Sequence, residues 1–190
     1  CMIWLGLAHG AKGLDYFIYP SLEEATWDDS GLVDQSSSPP RHRDSLWIPA
    51  QAMNFTIQKI GPTLMELTSD TIFKSTDGIP STCFIKEISS DDTVQIGTFH
   101  NVDNDTFFIV VNRLCQASDS DTVVIKIHKD SLFLTDLYTG EAIPPDSEPN
   151  GSSYFSIPLP PAQGRFFQLV PFAQDFKINN NQAYANMVHV

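Results

Sequence analysis

The chain has 190 residues, with 11 Lys and Arg against 23 Asp and Glu, a formal charge of −12. At 42% hydrophobic and 18% charged it has the apolar content to close a core. Its acidity sets nucleic acid and anionic membrane surfaces aside as partners, because like charges repel. The sequence holds no GxGxxG, no P-loop and no CxxC pair, and no apolar run approaches the ~20 residues of a membrane span.

Residue 1 is Cys, and the first eight residues are already apolar. No basic region or small-residue cleavage site marks a signal peptide, so the start reads as a point inside a larger protein. Residues 2–9 read as the end of a helix, with Gly10 where a left-handed C-cap would fall. Residues 13–19, Gly-Leu-Asp-Tyr-Phe-Ile-Tyr, read as an aromatic-rich strand stopped by Pro20. A long loop over residues 21–45 follows, holding Glu23, Glu24, Trp27, Asp28 and Asp29. A second helix is predicted over residues 46–67, where Met53, Ile57, Ile60, Leu64 and Leu67 recur at helical spacing. Gly61-Pro62 is expected to kink or split it. Residues 68–80, rich in Ser, Asp, Gly and Pro, read as a connection.

From residue 80 the pattern changes to short strands. About seven are predicted, over residues 82–88, 94–100, 106–112, 122–128, 131–137, 154–159 and 164–170. The stretch 106–112, Thr-Phe-Phe-Ile-Val-Val-Asn, is apolar in both alternating sets. It should therefore be central and covered on both sides: Phe108 and Val110, with Ile125 and Phe167, in a sandwich core, and Phe107 beneath the helix of residues 46–67 or on the second face. Acidic and Gly-containing gaps supply the turns, and the spacing argues for an antiparallel sandwich. Cys1, Cys83 and Cys115 are an odd count without metal-like spacing, and a Cys83–Cys115 bridge stays open. The five His residues form no ligand set, so neither a metal nor a cofactor is expected.

Several segments resemble a known family. "LAHGAKGLDYFIY" (residues 7–19) resembles the last helix-to-strand turn of the (β/α)8 barrel in glycoside hydrolases of the β-galactosidase-like clan, where an A-x-G-A-x-G turn enters the eighth strand. "WIPAQAMNFTIQKIGPTLMEL" (residues 47–67) is similar to that barrel's final helix. "GTFHNVDNDTFFIVVNR", "LTDLYTGE" and "FSIPLPPAQGRFFQL" resemble strands of the small β-sandwich that follows such barrels. The resemblance covers residues 2–171. It implies an α+β fragment: residues 1–70 would be the last strand and helices of a (β/α)8 barrel, and residues 71–190 an antiparallel β-sandwich.

The resemblance also implies a function. In this clan two glutamates, at the ends of the fourth and seventh strands, cleave the glycosidic bond. Both would lie outside this chain, so no catalytic residue is assigned here. The chain would be the C-terminal portion of a carbohydrate-degrading enzyme, inactive alone. Its partners would be an oligo- or polysaccharide, reached through the full-length enzyme, and the rest of the barrel. Its place would be extracellular or periplasmic. The loop after the eighth strand opens at the face where barrel active sites sit. Tyr19 and Trp27 could stack on a sugar ring there, and Asp28 could accept hydroxyl hydrogen bonds. The rival is a stand-alone carbohydrate-binding or interaction β-sandwich. All three Trp, at positions 4, 27 and 47, precede the sandwich, which favours a structural role for it.

Overall fold

The computed structural model describes residues 1–16, 31–34, 39–42, 44–90, 93–116 and 121–172. In chain order the elements are α1 (Met2–Ala8), β1 (Val33–Asp34), β2 (Arg41–His42), α2 (Asp44–Glu66), β3 (Thr68–Lys74), β4 (Ile85–Ser89), β5 (Val94–His100), β6 (Thr106–Asn112), β7 (Asp121–Ile127), β8 (Leu132–Asp136), β9 (Ala142–Ile143), β10 (Ser153–Leu159) and β11 (Gly164–Pro171). A 3-10 turn, Pro149–Gly151, precedes β10. Strands β3-β5-β6-β11-β8-β9 form one six-stranded sheet and β10-β7-β4 a second of three strands, all pairs antiparallel. A short β1-β2 ribbon stands apart.

The two sheets enclose one core between them, the arrangement of a β-sandwich. Phe108 and Val110 of β6, Ile96 of β5 and Phe167 of β11 meet Ile125 of β7 and Phe155 and Ile157 of β10 there. These strands alternate as the pleat requires, so the intervening residues point the other way. On the six-stranded sheet those residues are apolar too. Phe107, Ile109 and Val111 of β6, Phe99 of β5 and Phe166 of β11 form a second core, closed by Trp4, Leu7 and Ala8 of α1, Ile60 and Leu64 of α2, and Leu67 just beyond it. The order is thus helices, six-stranded sheet, three-stranded sheet. The expectations for Phe107, Phe108, Val110, Ile125 and Phe167 hold, because burying a large apolar side chain is worth ~1.5–3 kcal/mol.

Helix α1 lies unusually close to the sheet. A Cβ at Gly97 would stand 2.0 Å from the carbonyl oxygen of Ala8, and one at Gly164 would stand 2.6 Å from the indole of Trp4. Gly97 pairs with Ile109, and Gly164 with Val111. The two glycines therefore leave gaps on either side of β6, on the helix-facing side of the sheet, and α1 fills them. A glycine inside a strand often marks such an approach. The helix ends as predicted. Gly10 has φ +87°, its N–H donates to Leu7 O at 2.9 Å, and the Ala11 N–H donates to Gly6 O at 3.0 Å. That pair of bonds is a Schellman turn.

Lys12 joins the helices. Its ammonium donates to Leu67 O at 2.6 Å and also to Leu64 O. A cation beside the C-terminal carbonyls satisfies groups the helix leaves open and complements its dipole. Within the six-stranded sheet, between β11 and β8, Arg165 Nε and Nη2 donate to Asp136 Oδ2 at 2.9 and 2.7 Å. Asp136 Oδ1 accepts the N–H groups of Tyr138 and Thr139. This carboxylate, 4% exposed, shapes the turn into β9 and pins it to β11.

Three sequence expectations are corrected. Residues 68–80 are not a plain connection: through Lys74 they are β3, an edge strand on which only Phe73 is buried. An edge tolerates the polar residues that read as a linker, because one side of the ladder faces solvent. Helix α2 is a single 23-residue element running through both Pro49 and Pro62, not two pieces. Residues 13–16 of the predicted strand carry no regular secondary structure, and residues 17–19 lie outside the described residues.

Two substitutions test the layered core. Phe107→Ala and Phe108→Ala should each cost ~3–5 kcal/mol, since each leaves a cavity in a different core. Gly97→Ala should cost about 3 kcal/mol, near the top of the usual overpacking range, because backbone must move to admit it. Urea denaturation reads all three. A neutral Phe107→Ala would mean that the helix side of the sheet is open.

Candidate functional site

Three residues proposed for sugar contact, Tyr19, Trp27 and Asp28, lie outside the described residues. The described residues form a hollow beside them in sequence. It measures about 530 Å³ and lies between α2 and the segment that follows α1. Trp47, Gln51, Asn54, Phe55 and Gln58 line it from the helix, Leu14, Asp15 and Tyr16 from the segment, and Leu32 from the chain before β1.

The helix supplies these side chains by its period. With Ile60 and Leu64 turned onto the sheet, Trp47, Gln51, Asn54 and Gln58 fall on the flank away from it. Trp47 is held by stacking on His42 of β2, ring centroids 3.7 Å apart and planes 6° from parallel. The Tyr16 hydroxyl donates to Asn54 Oδ1 at 2.8 Å. That bond fastens the unstructured segment to the middle of α2. The sequence marks Tyr16 only as part of an aromatic-rich stretch and Asn54 only as a residue of the second helix. Only the fold brings them together, across 38 residues.

The described lining of the hollow is aromatic and amide in character. Aromatic faces stand beside three amide side chains, which both donate and accept. Among the described residues that line it, Asp15 is the one carboxylate. A retaining glycosidase needs two, ~5–5.5 Å apart, and the described lining residues supply no such pair. Among the described residues no group of three or more His, Cys, Asp or Glu is placed to hold a metal ion. None of their helices is long and apolar enough to cross a membrane.

No protein-family model matches the chain, and neither a curated protein nor a solved structure matches it. The reading of function therefore rests on the residues and their arrangement.

Burial pushes the Tyr16 phenol above its ordinary value of 10.0. A folded-state value above the unfolded one gives a contribution to stability that is full below pH 10 and falls as pH rises through the folded value. Tyr16→Phe should cost ~0.5–1 kcal/mol at pH 7 and remove part of the stability loss seen above pH 10. Urea denaturation from pH 7 to 11 measures both. An unchanged alkaline slope in the Tyr16→Phe chain would exclude this role.

Proposed function

We propose that this chain is the C-terminal portion of a carbohydrate-degrading glycoside hydrolase of the β-galactosidase-like (β/α)8-barrel clan. The residues before β3, with helices α1 and α2, would be the end of its barrel, and the two sheets from β3 onward a β-sandwich that braces it. The whole enzyme cleaves glycosidic bonds in an oligo- or polysaccharide outside the cell or in the periplasm. Its two catalytic glutamates would lie outside this chain, and Tyr19, with Trp27 and Asp28 of the loop that follows, would supply contacts to sugar.

The observation that carries this reading is the buried contact between helices and sheet. A brace has to be rigid, and α1 meets the six-stranded sheet at backbone distance over Gly97. A tethered binding module has no need of such a contact. Two further points support it. The segments "LTDLYTGE" and "GRFFQL", which carry part of the resemblance, meet through the Asp136–Arg165 pair. The sandwich also lacks the Trp platform on which many sugar-binding modules rely.

The test is enzymatic. The purified chain should turn over no aryl glycoside, and affinity electrophoresis through soluble polysaccharides should not retard it. Turnover that is lost on mutating Glu23 or Glu24 would overturn the absence of catalytic residues. Strong retardation by one polysaccharide would favour the rival, a free-standing carbohydrate-binding sandwich. The same reading expects the coding DNA upstream of Cys1 to continue in frame through two strand-end glutamates.

A further inference from the structure

The three cysteines are free, and two of them converge. Cys1 is the residue just before α1, and its Sγ lies 3.7 Å from the carbonyl oxygen of Asn112 and 3.7 Å from that of Arg113. The Cys115 Sγ lies 3.8 Å from that same Arg113 oxygen. Two thiols that share one carbonyl oxygen are no farther apart than those two distances laid end to end, although 114 positions separate them in the chain. Cys83 stands elsewhere, buried in the core between the sheets. The Cys83–Cys115 pairing left open by the sequence therefore joins residues that the fold keeps in different environments.

We propose that Cys1 and Cys115 are a thiol pair that closes to a disulfide on exposure to a low-molecular-weight disulfide such as oxidised glutathione. The surroundings are prepared for it. The Cys1 carbonyl is held by the Leu5 N–H at 3.0 Å, the Arg113 N–H donates to Thr93 O, and Leu114 O accepts from Ala162 at 2.6 Å. The backbone on both sides of the shared carbonyl is thus fixed. Cys115 itself is exposed, in a stretch without regular structure after β6, so it can turn the remaining way to a bonding distance of about 2.05 Å.

The chemistry balances. The Cys115 thiolate attacks the glutathione disulfide, forming a mixed disulfide and releasing one glutathione thiolate. The Cys1 thiolate then attacks the Cys115 sulfur, and the second glutathione leaves. Two protein thiols lose two electrons and two protons, and one glutathione disulfide becomes two glutathione thiols. Cys83 takes no part, because burial raises its thiol and keeps it protonated. The product ties the start of α1 to the end of β6, so it would lock the helix layer onto the sheet. This inference does not depend on the glycosidase reading.

The test uses the full 190-residue chain, reduced and then equilibrated in glutathione redox buffers at pH 8. Non-reducing peptide mapping should find the Cys1 peptide joined to the Cys115 peptide, with an intact mass about 2 Da lower and Cys83 still free. The bridge should survive glutathione ratios at least about 100-fold more reducing in the folded chain than in guanidinium, because folding holds the thiols together. Cys1→Ser should leave Cys115 stably glutathionylated, and Cys83→Ser should leave the bridge unchanged. Should that last variant not fold, mapping of the unsubstituted chain still decides. A Cys115–glutathione adduct that persists beside free Cys1, or equal bridging in folded and denatured chain, would overturn the proposal.

Discussion

The carbonyl oxygen of Ala8 sits where a side chain at position 97 would begin. Most of the architecture depends on that contact and its counterpart, Trp4 over Gly164. Because α1 can reach the sheet, Phe99, Ile109, Val111 and Phe166 are covered. Because Lys12 follows α1 by a Schellman turn, its ammonium reaches the end of α2, and α2 completes the cover with Ile60 and Leu64. The six-stranded sheet can then be apolar on both faces. Without the helices its second face would be a large exposed apolar surface, the kind that soluble chains avoid.

A sheet shared by two cores couples whatever lies on its two sides. Substitutions on β6 reach both: Phe108 is in one core and Phe107 in the other. That coupling is what a brace needs. It also places the hollow beside α2 on a helix whose opposite side is anchored, so Trp47, Asn54 and Gln58 are presented from a fixed element. The outward face of α2 stays apolar at Ile48, Phe55 and Met65, each more than half exposed.

Much of the sheet architecture was legible in the residues. The double apolar set of β6 announced a strand covered on two sides, and the stripe from Met53 to Leu67 announced part of the cover, while the share of α1 went unread. Both signals are periodic and local. Strand β3 was not legible, because Thr68, Ser69 and Asp70 carry turn chemistry and an edge strand imposes little burial to offset it. Gly97 and Gly164 gave no sign of their role, since a missing side chain has meaning only beside the helix that fills its place. The Asp136–Arg165 pair spans 29 residues and the Cys1–Cys115 approach far more, distances over which no spacing rule operates. For the site, Tyr19, Trp27 and Asp28, the residues proposed for sugar contact, fall outside the described residues, and the Tyr16–Asn54 bond needed the fold to be seen.

Native-state hydrogen exchange tests the central claim most directly, namely that the helices and the six-stranded sheet form one cooperative unit. The amides of Leu5, Leu7 and Ala8 in α1, of Ile60 and Leu64 in α2, and of Ile109 and Val110 in β6 should exchange with the same opening free energy, and a mild denaturant should lower them together. Helix amides that open several kcal/mol more easily than those of β6 would contradict the account. They would make the helices a loosely attached layer and the sandwich a module on its own.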